Sequence, residues 1–225
     1  MYKKIATNLI FLVFFSISHG VYAKKAPIKA PINAKALKSS TTPIETLKNF
    51  LATTDSLIAT FKQVTLSENG KPTNTSHGMF FLSRPGKFRW SYKKPFEQEI
   101  ISNEGKVWFY DVDLEQVTIK KMDKSIGSTP ALLLSGEIEL EKNFTLQQQG
   151  KDADLQWIKL TPKNEESGFN YILIGMDENG LGGMELSDSF GQLTRIYFSD
   201  VKINPKLDAS IFNFIAPKGV DVFEN

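Results

Sequence analysis

The sequence predicts a mainly β protein with few helices, built around a strongly curved antiparallel sheet of about ten or eleven strands. Three observations predict it. Short runs rich in aromatic and β-branched residues, apolar and polar in alternation, recur along most of the chain. Turn chemistry separates them, as at Arg84-Pro85-Gly86, Lys94-Pro95, Asn103-Glu104-Gly105 and Asp177-Glu178-Asn179-Gly180. No helical pattern alternates with the strands, so a parallel βαβ architecture is excluded.

Residues 1–23 read as a secretory signal. Lys3 and Lys4 form a positive start, residues 5–17 are mostly apolar, and Val21-Tyr22-Ala23 fits a small-x-small site with cleavage after Ala23. The apolar run is too short and too early for a spanning helix, and the mature chain is expected to be soluble and periplasmic. Residues 24–41 carry five lysines, two prolines and no acids, and read as a flexible lead-in. Residues 42–225 are expected to be one domain. The formal charge of +2 conceals an acidic balance there, with 20 basic against 25 acidic residues.

Thr42-Pro43-Ile44-Glu45 combines an N-cap, a proline at the first helical position and a glutamate able to reach back to the cap. Ile44, Leu47 and Leu51, with Phe50 beside them, give an amphipathic helix of about three turns. Residues 56–66 then read as a strand, 67–76 as a reversal, and 76–82 as the partner strand of a hairpin.

Residues 78–120 hold nine of the chain's aromatic side chains and read as a meander. Phe88, Trp90 and Tyr92 alternate with Lys87, Arg89, Ser91 and Lys93, placing three rings on one face and polar groups on the other. In residues 125–134, Ser128 or Thr129 caps, Pro130 opens and Leu132 to Leu134 end a short apolar helix. Strands are expected over 144–149, 155–160, 169–176, 183–186, 193–198 and 212–215.

The chemistry is mostly a matter of exclusion. There is no cysteine, so disulfides, thiol catalysis and thiolate metal sites are out. His77 is the sole histidine beyond the leader and reads as a strand-edge surface residue; HExxH zinc sites, Ser-His-Asp triads and histidine proton shuttles are set aside. No phosphate-binding or dinucleotide fingerprint occurs, no basic stripe suits nucleic acid, and no cofactor or metal is expected. Asp111, Asp113 and Glu115, spaced by two, would share one side of an extended strand and are the one carboxylate set to weigh for hydrolysis. Arg84, at a strand end before Pro85, has a planar five-donor guanidinium able to hold several carbonyls at once.

The segments RPGKFRW (84–90), P-x-E-Q (95–98), NEGKVWFYDVDLEQV (103–117), STPALLL (128–134), LTPK (160–163), MELSDSFGQLTRIYF (184–198) and FNFIAPKGVDV (212–222) resemble, in order, the signature segments of the LolA family. That resemblance implies an unclosed antiparallel β-barrel whose mouth is covered by a helical lid, in a monomeric non-enzymatic carrier of lipoproteins. The cargo's acyl chains would lie in an apolar cavity, for which the candidates are Leu47, Phe50, Leu51, Phe61, Phe81, Phe88, Trp90, Leu132, Leu133 and Leu134. Arg84 matches the family's lid latch. The implied partners are the inner-membrane LolCDE ABC transporter, which loads the carrier, and the outer-membrane receptor LolB, which unloads it. Two alternatives stay open: a LolB-like receptor or RseB-like regulator sharing the fold, and a periplasmic hydrolase using Asp111, Asp113 or Glu115. Lys24 after the leader, in place of cysteine, weighs against a lipid-anchored receptor.

Overall fold

The computed structural model describes residues 41–122, 131–136, 138–164 and 167–224. The expectations for residues 1–40, and for the Ser128 or Thr129 cap and Pro130, lie outside them. Helix α1 spans Pro43–Thr53. Its capping box is complete: Glu45 N donates to Thr42 Oγ1 at 3.2 Å, and Thr42 N donates to Glu45 Oε2 at 2.8 Å. Two otherwise unpaired N–H groups are thereby satisfied at the exposed start of the helix. The apolar stripe buries Leu47 and Phe50 with Ile44 and Leu51 beside them, each full burial contributing about 1.5–3 kcal/mol.

The strands follow as β1 (Ser56–Leu66), β2 (Pro72–Ser83), β3 (Lys87–Lys94), β4 (Gln98–Asn103), β5 (Lys106–Asp111) and β6 (Gln116–Lys121). After them come helices α2 (Ala131–Leu134) and α3 (Leu140–Asn143). The second strand series is β7 (Phe144–Asp152), β8 (Leu155–Pro162), β9 (Phe169–Asp177), β10 (Gly180–Asp188) and β11 (Leu193–Ile203). A 3-10 helix, Ala209–Phe212, precedes β12 (Asp221–Glu224).

All twelve strands form one open sheet in the order β12-β6-β5-β4-β3-β2-β1-β11-β10-β9-β8-β7. Every pairing is antiparallel except the terminal one, β12 against β6, which is parallel. The sheet is thus two meanders, β1–β6 and β7–β11, joined where β1 meets β11. Its concave face carries the core: Leu57, Ala59 and Phe61 from β1, Phe80 and Leu82 from β2, Phe88 and Trp90 from β3, and matching residues from β8 to β11, with α1 and α2 packed on top. Alternation along each strand produces this face.

Several expectations need correction. The described residues form twelve strands, in keeping with the expected ten or eleven, and the corrections are local. The reversal after β1 closes within Ser67 to Lys71, where Ser67 N donates to Lys71 O at 2.9 Å, so β2 already begins at Pro72. His77 is exposed as expected, but its strand is interior, flanked by β1 and β3. Helix α3 has no counterpart in the sequence reading. Residues 212–215 form no strand: Asp208 Oδ1 accepts from Ser210 N at 2.8 Å, winding the chain into the 3-10 helix. The aromatic alternation read there as a strand has another cause. Phe212 is buried against the sheet, and the Phe214 ring lies 5.6 Å from that of Tyr110.

That C-terminal segment also changes the reading of β3's polar face, which does not simply face water. The 3-10 helix packs over β3 and β4 on the convex side. Arg89 donates there to Ile211 O at 3.2 Å and to Glu99 Oε2 at 3.0 Å, while the buried Ser91 hydroxyl donates to the same carboxylate. Ile101 and Phe212 are fully buried outside the main core, a second small apolar layer under the strap. Asn204 fastens the strap's other end. Its Oδ1 accepts from Asp55 N at 2.7 Å and its Nδ2 donates to Thr53 O at 2.9 Å, tying the strap to the end of α1.

Candidate functional site: the roofed apolar face

Gly78 determines how the aromatic wall is built. A Cβ there would sit 1.9 Å from Ser91 O and 2.8 Å from the Phe61 ring, so only glycine lets β2 and β3 approach at the bulge between His77 and Gly78. Phe61 drops into that space. Its ring centroid is 4.9 Å from Trp90 and 5.1 Å from Tyr92; Phe80 lies 4.7 Å from Trp90, and Phe198 closes the group 6.1 Å from both Phe80 and Trp90. Five rings from four strands therefore share one patch, in tilted and edge arrangements that favour aromatic pairs.

Above this wall sit the helices. Leu47 and Phe50 from α1 and Leu132, Leu133 and Leu134 from α2 join the same buried cluster, with Leu51 packed against it. Of the ten sequence-predicted lining residues, the structure brings nine together. Phe81 is the exception. In the Phe80-Phe81 pair, β2's alternation sends Phe80 inward opposite Trp90, and Phe81 to the convex face opposite Arg89. Phe80, Leu82 and Phe198 belong to the wall but were not singled out. Pairing β2 with β3 in register would have found the first two, since Leu82 stands opposite Phe88.

Arg84 lies where the two helices end. Its Nε donates to Leu134 O at 2.8 Å and its Nη1 donates to Leu51 O. Both acceptors are last-turn carbonyls, which have no partner within their helices and carry the negative end of the helix dipole. The backbone around Arg84 is held as well: Arg84 N donates to Asp55 O at 2.8 Å, Gly86 N to Ser135 O at 3.1 Å, and the Ser102 hydroxyl to Gly86 O at 2.7 Å. Gly136, with φ +84°, lets the chain leave α2 while its Cα passes close to the Arg84 side chain. Burial lowers the guanidinium's pKa from its ordinary value, with Asp55 opposing the shift. The group remains a cation at any physiological pH.

The interior is closed over itself, with the lining side chains almost wholly buried. A depression of about 1040 Å³ lies elsewhere, beside the start of α1, and its walls include Thr42, Gln148, Lys151, Asp154 and Asp177. Its polar lining does not suit an apolar ligand. Asp111, Asp113 and Glu115 do not line up on a strand. They lie at and around the β5–β6 turn, where Asp111 Oδ1 accepts from Leu114 N at 3.0 Å and Glu115 takes φ 51°; Asp111 shapes the turn, and with Asp113 it borders a depression of about 410 Å³ whose lining also includes Gln63, Tyr92 and Gln98.

An open half-barrel with an aromatic concave face, roofed by helices that one arginine pins at their ends, defines a binding protein for apolar ligands. The chain matches the model of the family described as outer membrane lipoprotein carrier protein LolA over residues 52–215. It is 57% identical over 190 residues to an outer-membrane lipoprotein carrier protein of Methylococcus capsulatus, covering 84% of this chain and 91% of that one. Against one from Nitrosospira multiformis it is 40% identical over 221 residues, covering 98% and 97%. A crystal structure of an uncharacterized conserved protein from Thermus thermophilus shares the fold, with a TM-score of 0.51 and 12% identity over 81% of this chain and 96% of that one. The chain belongs to the LolA family.

Proposed function

We propose that this chain is a periplasmic carrier that takes the acyl chains of lipoproteins onto its concave face and delivers them toward the outer membrane. Arg84 carries the reading. Its two hydrogen bonds to the ends of α1 and α2 support its role as a latch that holds the roof down while the interior is empty. A bare acyl chain in water costs about 0.8 kcal/mol per methylene, so cargo with several chains must be shielded throughout transit. The carrier must also release it. Reversible apolar contact beneath a roof whose closed and open states differ by a few kcal/mol satisfies both demands. Cargo favours the open state by occupying the wall, and the Arg84 latch favours release by rewarding closure.

The chain performs no chemistry in this scheme, and direction comes from partners. LolCDE loads it at the inner membrane and LolB receives the cargo at the outer membrane. Residues 1–23 serve as the export signal, residues 24–41 as a Lys/Pro-rich lead-in, and residues 42–225 as the carrier domain. Native mass spectrometry of exported protein, wild type beside Arg84→Leu, tests this reading. A bound triacyl-cysteine polypeptide, retained more by the variant, is the expected result. Empty protein in both, after incubation with lipoprotein-loaded inner membranes containing the transporter, would overturn it.

A further inference from the structure

Two side chains of the aromatic wall carry a polar handle, and they are treated differently. The Tyr92 hydroxyl donates to Gln63 Oε1 at 3.0 Å. The Trp90 indole Nε1 is buried and finds no acceptor among the described residues, although the side chain is only 2% exposed. Its surroundings explain why: the rings of Phe61, Phe80 and Phe198 pack around it, and none can accept a conventional hydrogen bond. Buried indole N–H groups ordinarily have partners, and an orphan is a standing penalty on the closed, empty state. A fourth phenylalanine would fill the same wall without it.

We propose that Trp90 Nε1 is the hydrogen-bond donor for an acyl carbonyl of the cargo. The inference rests on the carrier reading above. Every acyl chain begins at an ester or amide carbonyl, and drawing that carbonyl from water into an apolar cleft strips its hydrogen bonds. One bond to Trp90 satisfies the orphan donor and the stripped acceptor together. Pure hydrocarbon contact cannot do so, because it leaves both unpaired. Trp90 is therefore the position at which this face distinguishes an acylated ligand from an alkane or alkyl ether of the same length, and it sets how deep the chains enter before their linkage is held.

The test uses the full mature chain with ¹⁵N-labelled indoles, of which the sequence holds three. The ligands are a synthetic diacylglyceryl-cysteine peptide and its dialkyl-ether counterpart of equal chain length. The Trp90 indole proton is expected to shift downfield on binding the ester ligand and not the ether. Wild type should bind the ester about tenfold more tightly, as one hydrogen bond to a buried donor implies. Trp90→Phe should bind both ligands with the wild type's ether affinity. Equal binding of both ligands by wild type, or a preference that survives in Trp90→Phe, overturns the proposal while leaving the carrier reading intact. Failure of both ligands to bind overturns the two together. If Trp90→Phe does not fold, the wild-type indole shift and the ester-to-ether ratio decide alone.

Discussion

Replacing Arg84 with leucine removes the two hydrogen bonds that join the ends of α1 and α2 to the β2–β3 corner. Hydrogen bonds from a charged group contribute about 1.5–3 kcal/mol each, a gross loss of roughly 3–6 kcal/mol from the closed state. Part of this is offset, because the half-buried guanidinium no longer needs desolvating and leucine adds apolar contact. The net effect on closure should be about 2–3 kcal/mol, a shift of roughly 30- to 150-fold toward the open state. Helix α1 has 11 residues, too few to persist in water once undocked. Its amides should then exchange with solvent faster by about the same factor. Hydrogen exchange followed by mass spectrometry on a peptide covering α1 measures this, with the β1–β2 hairpin as the internal control. Arg84→Lys, a point charge that serves one carbonyl and not two, should fall between. Protection of α1 that is equal in wild type and Arg84→Leu would refute the latch, since the hydrogen bonds would then not govern closure.

Two further perturbations follow. Gly78→Ala drives a Cβ into Ser91 O and the Phe61 ring; with backbone on one side and a packed ring on the other, it should cost about 3 kcal/mol, lowering Tm by roughly 6–12 °C. A thermal melt unchanged within a degree would contradict that close approach. The second concerns Glu45, whose carboxyl is held below its usual pKa, first by the Thr42 backbone N–H, then by the Thr42 side chain, with Lys48 adding a smaller effect. A lowered folded-state pKa means its contribution is present above the ordinary glutamate value of about 4.3 and is lost as pH falls through the lowered one. Exchange protection at the start of α1 should weaken over that acidic window in wild type, and Glu45→Gln should flatten the dependence. A variant with the wild-type pH profile would place the acid sensitivity elsewhere.

Local rules carried the sequence reading where one residue's neighbours decide its fate. Thr42 and Glu45 sit at capping-box spacing, and the box forms. Phe88 and Trp90 alternate with charges, and both face inward. Reading failed where two signals overlap or the deciding partner is remote. In the Phe80-Phe81 pair either ring could face the wall, and the register against β3 decides. Phe212 and Phe214 alternate like a strand but belong to a strap crossing the convex face, where Phe212 is buried and Phe214 meets Tyr110, and the strap's Ile211 accepts from Arg89 more than a hundred residues away. The orphaned Trp90 Nε1 was invisible for the same reason: which groups surround an indole depends on β1, β2 and β11 together. Gly78 gave a faint clue, a glycine inside an aromatic run, but the close approach it serves appears only once β2 and β3 are paired.

The order of the strands has a mechanical consequence. β6 lies next to one margin of the sheet and β7 forms the other, and α2 and α3 fall between these two strands in the chain. α1 leads within two residues into β1, and Arg84 takes a carbonyl from the end of α1 and another from the end of α2. One guanidinium thus clasps two segments that lie far apart in the chain. Under the proposed carrier mechanism, loss of either hydrogen bond would leave the other in place.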